Sequence, residues 1–164
     1  MKTVTKVLAA LAFSDYAQGT FSFAAYFARL TSAELIVANV INSRDVESVQ
    51  TISSMGFEVD GGHYVQSLKE ERRGLLDRII SDSGYPTGKV RTVFRTGNPI
   101  EELLKLIKEE EVDVVVMGPK GRTDLESMLV GSVAEKIFRR SPATVISYRD
   151  ERIAERLKKR IKNV

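Results

Sequence analysis

Three glycines and a serine in the second half of the chain stand at a spacing that suits the binding of an anion. Gly118 and Gly121 follow a strand-like apolar run, and Gly131 and Ser132 directly precede a helix-like run. Glycines at both ends of a strand-to-helix crossover free backbone N–H groups to face an anion at a helix N-terminus. The spacing therefore predicts a nucleotide site with its phosphate bound in this crossover.

What each of these residues permits can serve either a ligand or the fold alone. Gly118 allows a turn that a side chain would block, Gly121 allows close approach of the backbone to a ligand, and Gly131 lets the chain re-enter a helix with unusual φ and ψ. Ser132 either bonds a phosphate oxygen or forms a capping box with Glu135, three residues later. A carboxylate that stays at this helix start competes with phosphate. Punctuating glycines and capping boxes are common, so both interpretations stay open.

Apolar runs of strand length alternate along the chain with segments of helical periodicity. The predicted strands are Val4–Ala12, Glu34–Ile41, Lys89–Thr96, Val112–Met117 and Ala143–Tyr148. The predicted main helices are Ser14–Leu30, Gln66–Ser83, Ile100–Glu110 and Ser132–Arg140. Five strands interleaved with four helices predict a single doubly wound, Rossmann-like parallel sheet with helices on both faces. Ligands bind such sheets at the carboxyl ends of the strands, where Gly118 is placed.

The spacing Gly-x2-Gly-x9-Gly-Ser resembles the ATP-binding signature of the universal stress protein family. The similarity extends over residues 3–149 and includes the turn Thr96–Pro99 and the closing segment Ser141–Ile146. It implies an α/β nucleotide-binding domain at residues 1–149, whereas residues 150–164 form a tail that is less typical of the family. It also implies a stress-response or signalling protein that binds ATP or AMP, with or without Mg²⁺, and acts as a dimeric switch.

The resemblance also implies which residues contact the nucleotide. The implied contacts are Ala12, Val40, Met117, Gly118, Gly121, Arg122, Gly131, Ser132 and Val133. Val40 is the implied backbone neighbour of the adenine. Members of the family usually carry an aspartate at the end of the first strand, where this chain has Ala12, and losing one charge-assisted hydrogen bond costs about 1.5–3 kcal/mol. The alternative function is therefore a dimeric scaffold of the same family that binds no nucleotide.

Charged residues near the glycines are candidates for contacts with a triphosphate and its metal. Lys120 and Arg122 flank Gly121 and supply positive charge to the phosphates, unless they are ordinary solvated loop cations. Asp124 and Glu126 are the nearby carboxylates for Mg²⁺, and both also suit the start of a short helix. The sequence shows no positioned base, so we expect a binding protein with at most slow ATP hydrolysis.

Composition excludes several classes of site. The chain has 164 residues, 43% of them hydrophobic, which suits one compact domain. Cysteine is absent and His63 is the only histidine, so thiolate sites, disulfides and zinc chemistry are not expected. His63 ends an atypical segment, Ser43–Tyr64, which is predicted to be a long connection with a short helix at Val46–Met55. This histidine is either an exposed loop residue or part of a flap over the nucleotide.

The N-terminus and the last strand bear on location and assembly. Val7–Phe13 is predicted to be a buried strand rather than a secretory signal. No run approaches the roughly 20 apolar residues of a membrane span, so a cytoplasmic location is expected. The last strand, Ala143–Tyr148, is predicted to lie at a sheet edge, and the resemblance implies a homodimer through it.

The tail at residues 150–164 is predicted to be a cationic amphipathic helix. It contains six cations and three acids, a balance of +3 that equals the net charge of the whole chain. Ile153, Leu157 and Ile161 recur every four residues and form one apolar stripe. Such a helix packs on the domain or a twin subunit, or binds an acidic protein partner or a membrane surface; nucleic acid is the least favoured partner.

Overall fold

The computed structural model describes residues 3–54, 61–120 and 130–161, with the backbone alone at residues 49–54 and 61. The strands in these ranges are β1 (Lys6–Ala10), β2 (Glu34–Asn42), β3 (Val90–Gly97), β4 (Val114–Met117) and β5 (Thr144–Ser147). The helices are α1 (Ala17–Thr31), α2 (Ser43–Ser54), α3 (Gly61–Asp82), α4 (Pro99–Glu109), α5 (Ser132–Arg140) and α6 (Glu151–Ile161). A short 3₁₀ turn, Thr87–Lys89, precedes β3.

The described strands form one parallel sheet in the order β3-β2-β1-β4-β5. β1 is central, and its Leu8 stands beside Ile36 of β2 and Val115 of β4. Val7, Leu8 and Ala9 are each 0% exposed, as expected for a parallel strand covered on both faces. The doubly wound parallel sheet predicted from the sequence is confirmed.

Helices cover both faces of this sheet. On one face, Phe21 of α1 and Leu76 of α3 belong to the core cluster that contains Val7 and Val37. On the other face, residues of α4 and α5, including Ile137, pack with the even-numbered residues of β1 and β2. α1, α3, α4 and α5 each contribute buried apolar residues to one of these two clusters, so packing on the sheet fixes the positions of these four helices.

The strand order reverses beside β1. The chain moves from β1 outward to β2 and β3, then returns to β4 on the other side of β1 and continues to β5. In open α/β sheets, ligands bind in the crevice at such a reversal, outside the carboxyl ends of the strands. The segments that leave β1 and β4 here begin at Leu11 and Gly118, so the glycine crossover starts at the reversal.

The structure corrects the prediction for Ser43–Tyr64. In its described part the segment is helical rather than a long connection, because α2 begins directly after β2 and α3 already begins at Gly61. Gly61 and Gly62 lie in the first turn of α3, where backbone N–H groups have no partner within the helix. His63 is therefore an exposed helical residue. Met55, the predicted end of the short helix, lies outside the described residues.

The edge strand and the tail helix match their predictions. β5 pairs with β4 alone among the described strands, which makes it an edge strand. The predicted C-terminal helix is α6, and Asp150 Oδ1 accepts a 2.8 Å hydrogen bond from Ile153 N at its start. Its apolar stripe is buried at the beginning and exposed at the end, since Ile153 is 5% and Ile161 is 70% exposed. No helix in the described ranges is long and apolar enough to cross a bilayer.

Candidate ligand-binding cleft

A cavity of about 220 Å³ opens at the carboxyl ends of β1, β2 and β4. Each strand end contributes a pair of lining residues: Leu11 and Ala12 after β1, Asn39 and Val40 in β2, and Met117 and Gly118 at the end of β4. The first residues of α1 and α5 complete the walls, together with residues of α2 and α3. The cavity thus occupies the crevice where the strand order reverses.

The predicted site residues fall into three groups. Five of them line the cavity: Ala12, Val40, Met117, Gly118 and Val133. Two more stand at the start of α5, directly before the lining residue Val133: Gly131 and Ser132. The last two lie outside the described residues: Gly121 and Arg122. The fold therefore brings residues from three separate parts of the sequence to one place.

The two ends of the glycine crossover are held together. Gly131 N donates a 2.7 Å hydrogen bond to Pro119 O, which fixes the start of α5 beside the exit of β4. Glu135 N donates to Gly131 O at 3.0 Å and is the first amide of α5 with an acceptor inside the helix, so the amides of residues 132–134 are left without one. Val133 and Ala134, which carry two of these amides, line the cavity. The positive end of the α5 dipole therefore faces the cavity and attracts an anion.

Two predictions about this helix start are wrong. The N-cap residue is Gly131 and Ser132 is already helical, so Ser132 does not head a capping box with Glu135. Gly131 has φ −78° and ψ 157°, which are ordinary extended angles. Glu135 is 60% exposed, and its Oε1 lies 3.5 Å from Arg139 Nη1, one turn further along α5. Its carboxylate is thus drawn away from the helix start, where it would compete with a phosphate.

The space around Gly118 is tight for a side chain, whereas its backbone angles make no special demand for glycine. A Cβ atom at this position would lie 3.2 Å from Tyr16 Cβ and 3.5 Å from Lys120 O. The first of these distances is shorter than the contacts of close-packed carbon atoms, which begin near 3.5 Å. The same Cβ would lie 3.6 Å from Thr20 Oγ1. A side chain at 118 would therefore crowd the turn after β4 and fill space beside the cavity.

Thr20 is a cavity residue that sequence reasoning missed. It is the fourth residue of α1 and is 1% exposed. Its Oγ1 is the buried side-chain atom that has no hydrogen-bond partner within the described part of the chain. Leaving a buried hydroxyl unpaired costs about 1–3 kcal/mol. A signal was available, because Thr20 interrupts a buried stripe that otherwise consists of apolar residues such as Ala17, Ala24 and Ala28.

A chain of hydrogen bonds at the end of β2 was also missed. Asn39 Nδ2 donates to Leu11 O at 2.7 Å, and Arg72 Nη1 donates to Asn39 Oδ1 at 2.7 Å and to Val40 O at 3.3 Å. Asn39 and Arg72 are 3% and 8% exposed, and both line the cavity. Asn39 could have been noticed as an amide inside an apolar strand. Arg72 lies in the charged run Lys69–Arg73, and the packing of α3 decides which member is buried.

Lys120 is buried rather than solvated. It is 8% exposed and lines the cavity just after β4, so its interpretation as an ordinary solvated loop cation is wrong. Arg72 is a second buried cation on the same walls, and Asp45 of α2 is a carboxylate there. The described charged side chains that line the cavity thus include two cations and one anion.

A metal ion has weaker support than an anion. Across residues 3–54, 61–120 and 130–161, no group of three or more His, Cys, Asp or Glu side chains could hold one. Asp124 and Glu126, the carboxylates predicted near a metal, lie outside these ranges. The geometry of the described residues therefore indicates an anion site without indicating how Mg²⁺ would be held.

Sequence comparisons find relatives along nearly the whole chain. The sequence model of the universal stress protein family matches residues 3–149. Universal stress protein MJ0577 of Methanocaldococcus jannaschii is 28% identical over 152 residues, which cover 86% of this chain and 92% of that protein. Universal stress protein YxiE of Bacillus subtilis is 28% identical over 149 residues, which cover 88% of this chain and 98% of that protein.

Solved structures share the fold. The structure of MJ0577 matches with a TM-score of 0.73 at 27% identity, covering 92% of this chain and 99% of that one. A universal stress protein in complex with cAMP matches with a TM-score of 0.60 at 21% identity, covering 90% of this chain and 99% of that one. At the identity of this second match, the likeness shows the fold alone.

Proposed function

The chain belongs to the universal stress protein family, and from this membership and the geometry of the cleft we propose that it binds adenine nucleotides, ATP or AMP, as a dimeric switch in stress response or signalling. One observation carries the proposal: the hydrogen bond from Gly131 N to Pro119 O sets the start of α5 at the mouth of a cavity that opens beside β4. A relative of this fold has been solved with cAMP, which is also an adenine nucleotide.

The described residues fit the phosphate end of a nucleotide. Amides of the first turn of α5, including those of Val133 and Ala134, offer hydrogen bonds to phosphate oxygens. Lys120 adds a buried positive charge on the same side of the cavity. Gly118 leaves open the space that a side chain would fill, and Thr20 Oγ1 has a hydrogen bond still to make. Together these groups supply charge, directed donors and room for an anionic ligand.

The base of such a nucleotide would lie at the end of β2. With the phosphates at α5 and β4, the rest of the molecule extends across β1 toward β2, the strand on the other side. Neighbouring strands lie about 4.8 Å apart, so the ends of β4 and β2 are separated by about 10 Å, roughly the length of a nucleoside. Val40 is then the backbone neighbour of the base, and Ala12 lies beside the nucleoside without a side-chain acceptor.

The dimer contact of this proposal is β5. β5 is an edge strand, and an edge strand is satisfied when it pairs with a second copy. α5 packs against β5 and carries an exposed apolar side chain, since Phe138 is 73% exposed. α5 therefore contributes both to the cleft and to the surface beside β5. Nucleotide occupancy and dimer geometry would be coupled through this helix.

Several finer points stay predictions. They are slow hydrolysis of ATP at most, a role for Mg²⁺, a cytoplasmic location, an unidentified protein partner and the division of the chain into residues 1–149 and 150–164. The alternative function, a dimeric scaffold without nucleotide, is favoured by one observation: Ala12 lines the cavity where the family usually has an aspartate. A direct measurement of nucleotide binding distinguishes the two functions.

Isothermal titration with ATP and AMP, with and without Mg²⁺, tests the proposal. We expect binding at micromolar strength, and we expect Lys120→Met to weaken ATP by about tenfold because it removes a cation from the phosphate end. Lys108→Met, at an exposed position of α4, is the matched control and should bind as the wild type does. Absence of binding, together with no nucleotide released from the purified protein by acid, would instead support the scaffold.

A further inference from the structure

We propose that the cleft recognises its ligand mainly at the phosphate end and therefore also takes inorganic phosphate chains such as triphosphate, with Thr20 Oγ1 bonded to a phosphate oxygen. The inference rests on the proposed function, because it concerns one end of the same nucleotide site. It goes beyond that function, because an inorganic triphosphate carries neither a base nor a ribose.

Thr20 differs from a threonine whose hydroxyl is satisfied within its own helix. A helical threonine hydroxyl can bond the carbonyl oxygen of the preceding turn, and Thr31 Oγ1 does so by donating to Phe27 O at 2.9 Å. Thr20 N donates to Tyr16 O at 2.9 Å, but Thr20 Oγ1 makes no hydrogen bond within the described part of the chain. The residue is 1% exposed and lines the cavity, so this hydroxyl is left for a group that enters the cavity.

The Thr20 hydroxyl lies beside the turn where the glycine crossover leaves β4. A Cβ atom at Gly118 would lie 3.6 Å from Thr20 Oγ1. One residue later, Pro119 O accepts the 2.7 Å hydrogen bond from Gly131 N that sets the start of α5. The hydroxyl and the amides of residues 132–134, which have no acceptor inside the helix, are therefore gathered around one turn. A phosphate group accepts hydrogen bonds from both kinds of donor.

At the β2 end of the cleft, by contrast, the polar groups of Asn39 and Val40 already have partners in the chain. Asn39 Nδ2 donates to Leu11 O at 2.7 Å, and Asn39 Oδ1 accepts from Arg72 Nη1 at 2.7 Å. Val40 O accepts from the same nitrogen at 3.3 Å. Ala12 lines the cavity without a polar side chain. A base or ribose bound here therefore gains fewer new hydrogen bonds than a phosphate bound beside Thr20.

Calorimetric titration of the full chain with ATP, sodium triphosphate and adenosine, at one Mg²⁺ concentration, separates the two ends of the ligand. We expect triphosphate to bind within about tenfold of ATP and adenosine to bind at least about tenfold more weakly than triphosphate. Thr20→Val should weaken ATP and triphosphate by the same factor, about three- to tenfold, because the lost hydrogen bond goes to a phosphate oxygen. Thr20→Ser keeps the hydroxyl and should bind both ligands as the wild type does.

Thr31→Val is the matched control, because it removes a hydroxyl from the far end of the same helix, and it should leave both affinities as they are. Circular dichroism and thermal unfolding establish that each variant is folded before it is titrated. A wild type that binds ATP more than about tenfold more tightly than triphosphate would overturn the inference and leave nucleotide binding in place. So would a Thr20→Val variant that weakens ATP alone or neither ligand. A wild type that binds neither ligand would remove the proposed function and the inference with it.

Discussion

Thr20 keeps a hydroxyl at a buried position where a valine would occupy the same space. Its Oγ1 has no partner among the described residues, and the residue is 1% exposed. An unpartnered buried polar group destabilises the free protein, and this cost is removed when a ligand supplies the missing hydrogen bond. At the residue scale, a ligand that hydrogen-bonds to Thr20 Oγ1 would therefore gain this energy on binding.

Thr20→Val should change stability and binding in opposite directions. Removing the unpaired hydroxyl should raise the free energy of unfolding of the free protein by about 1 kcal/mol and weaken nucleotide binding by about three- to tenfold. Urea unfolding and calorimetric titration measure the two effects. Thr31→Val is the matched control, because Thr31 Oγ1 donates to Phe27 O at 2.9 Å and its removal should give no gain. A Thr20→Val protein that is less stable and binds equally well would show that the hydroxyl is structural.

Ala12→Asp should strengthen nucleotide binding. Ala12 is exposed and lines the cavity, so a carboxylate there stays hydrated and is not forced into the core. A new charge-assisted hydrogen bond to the nucleoside is worth about 1.5–3 kcal/mol, which corresponds to roughly ten- to hundredfold in affinity. Titration with ATP measures the gain, and Thr87→Asp adds the same charge at an exposed position of the 3₁₀ turn before β3. Equal affinity in wild type and Ala12→Asp would place the nucleoside elsewhere.

At the scale of elements, ion pairs join the strands to α4 at the end of the sheet opposite the cleft. Arg91 of β3 pairs with Glu34 of β2 and with Glu110, which follows α4. Lys6 of β1 donates to Glu110 O at 2.9 Å. The hydrogen bond from Arg91 holds the pKa of the Glu110 carboxyl below its ordinary value. These contacts connect β1, β2, β3 and the end of α4 on the side of the sheet opposite the cleft.

Glu110→Gln should lower stability in a pH-dependent way. Because the pKa of Glu110 is lower in the folded protein, the folded state binds fewer protons there than the unfolded state does. The pair therefore stabilises the fold above the ordinary glutamate pKa of about 4.3, and this contribution disappears as the pH falls through the lowered value. Its size at pH 7 should be at most about 1 kcal/mol, because the partners are partly exposed. Urea unfolding at neutral and acid pH tests this, and a difference that does not change with pH would contradict it.

The elements also show what sequence can predict. β1 and β4 were predictable because central parallel strands are continuous apolar runs, and the positions of Gly118 and α5 follow from those strands. The start of α3 was not predictable, because Gly61 and Gly62 look like a helix break in the sequence. Only the structure places them in the first turn of α3. The partnership of Asn39 and Arg72 depends on which face of α3 meets the sheet, and no pattern within either segment contains that information.

At the scale of the whole molecule, the proposed dimer contact at β5 and the cleft would share α5. Phe138→Asp should place a charge beside the edge strand and convert a dimer into a monomer in light scattering at micromolar concentration. Tyr26→Asp, at a 60% exposed position of α1, is the control and should stay dimeric. The wild type should have twice the chain mass of 18.3 kDa. A monomeric wild type at this concentration would contradict assembly through β5.

The central claim, that one cleft holds the phosphates at α5 and the base at β2, is tested most directly by NMR. In a titration of ¹⁵N-labelled protein with ATP, we predict the largest amide shift changes at Gly118, at Ser132–Ala134 and at Val40. These residues come from two distant parts of the sequence, the end of β2 and the crossover from β4 to α5, and the fold gathers them at one cavity and the helix start beside it. Shift changes confined to α6, or none at millimolar ATP, would contradict the claim.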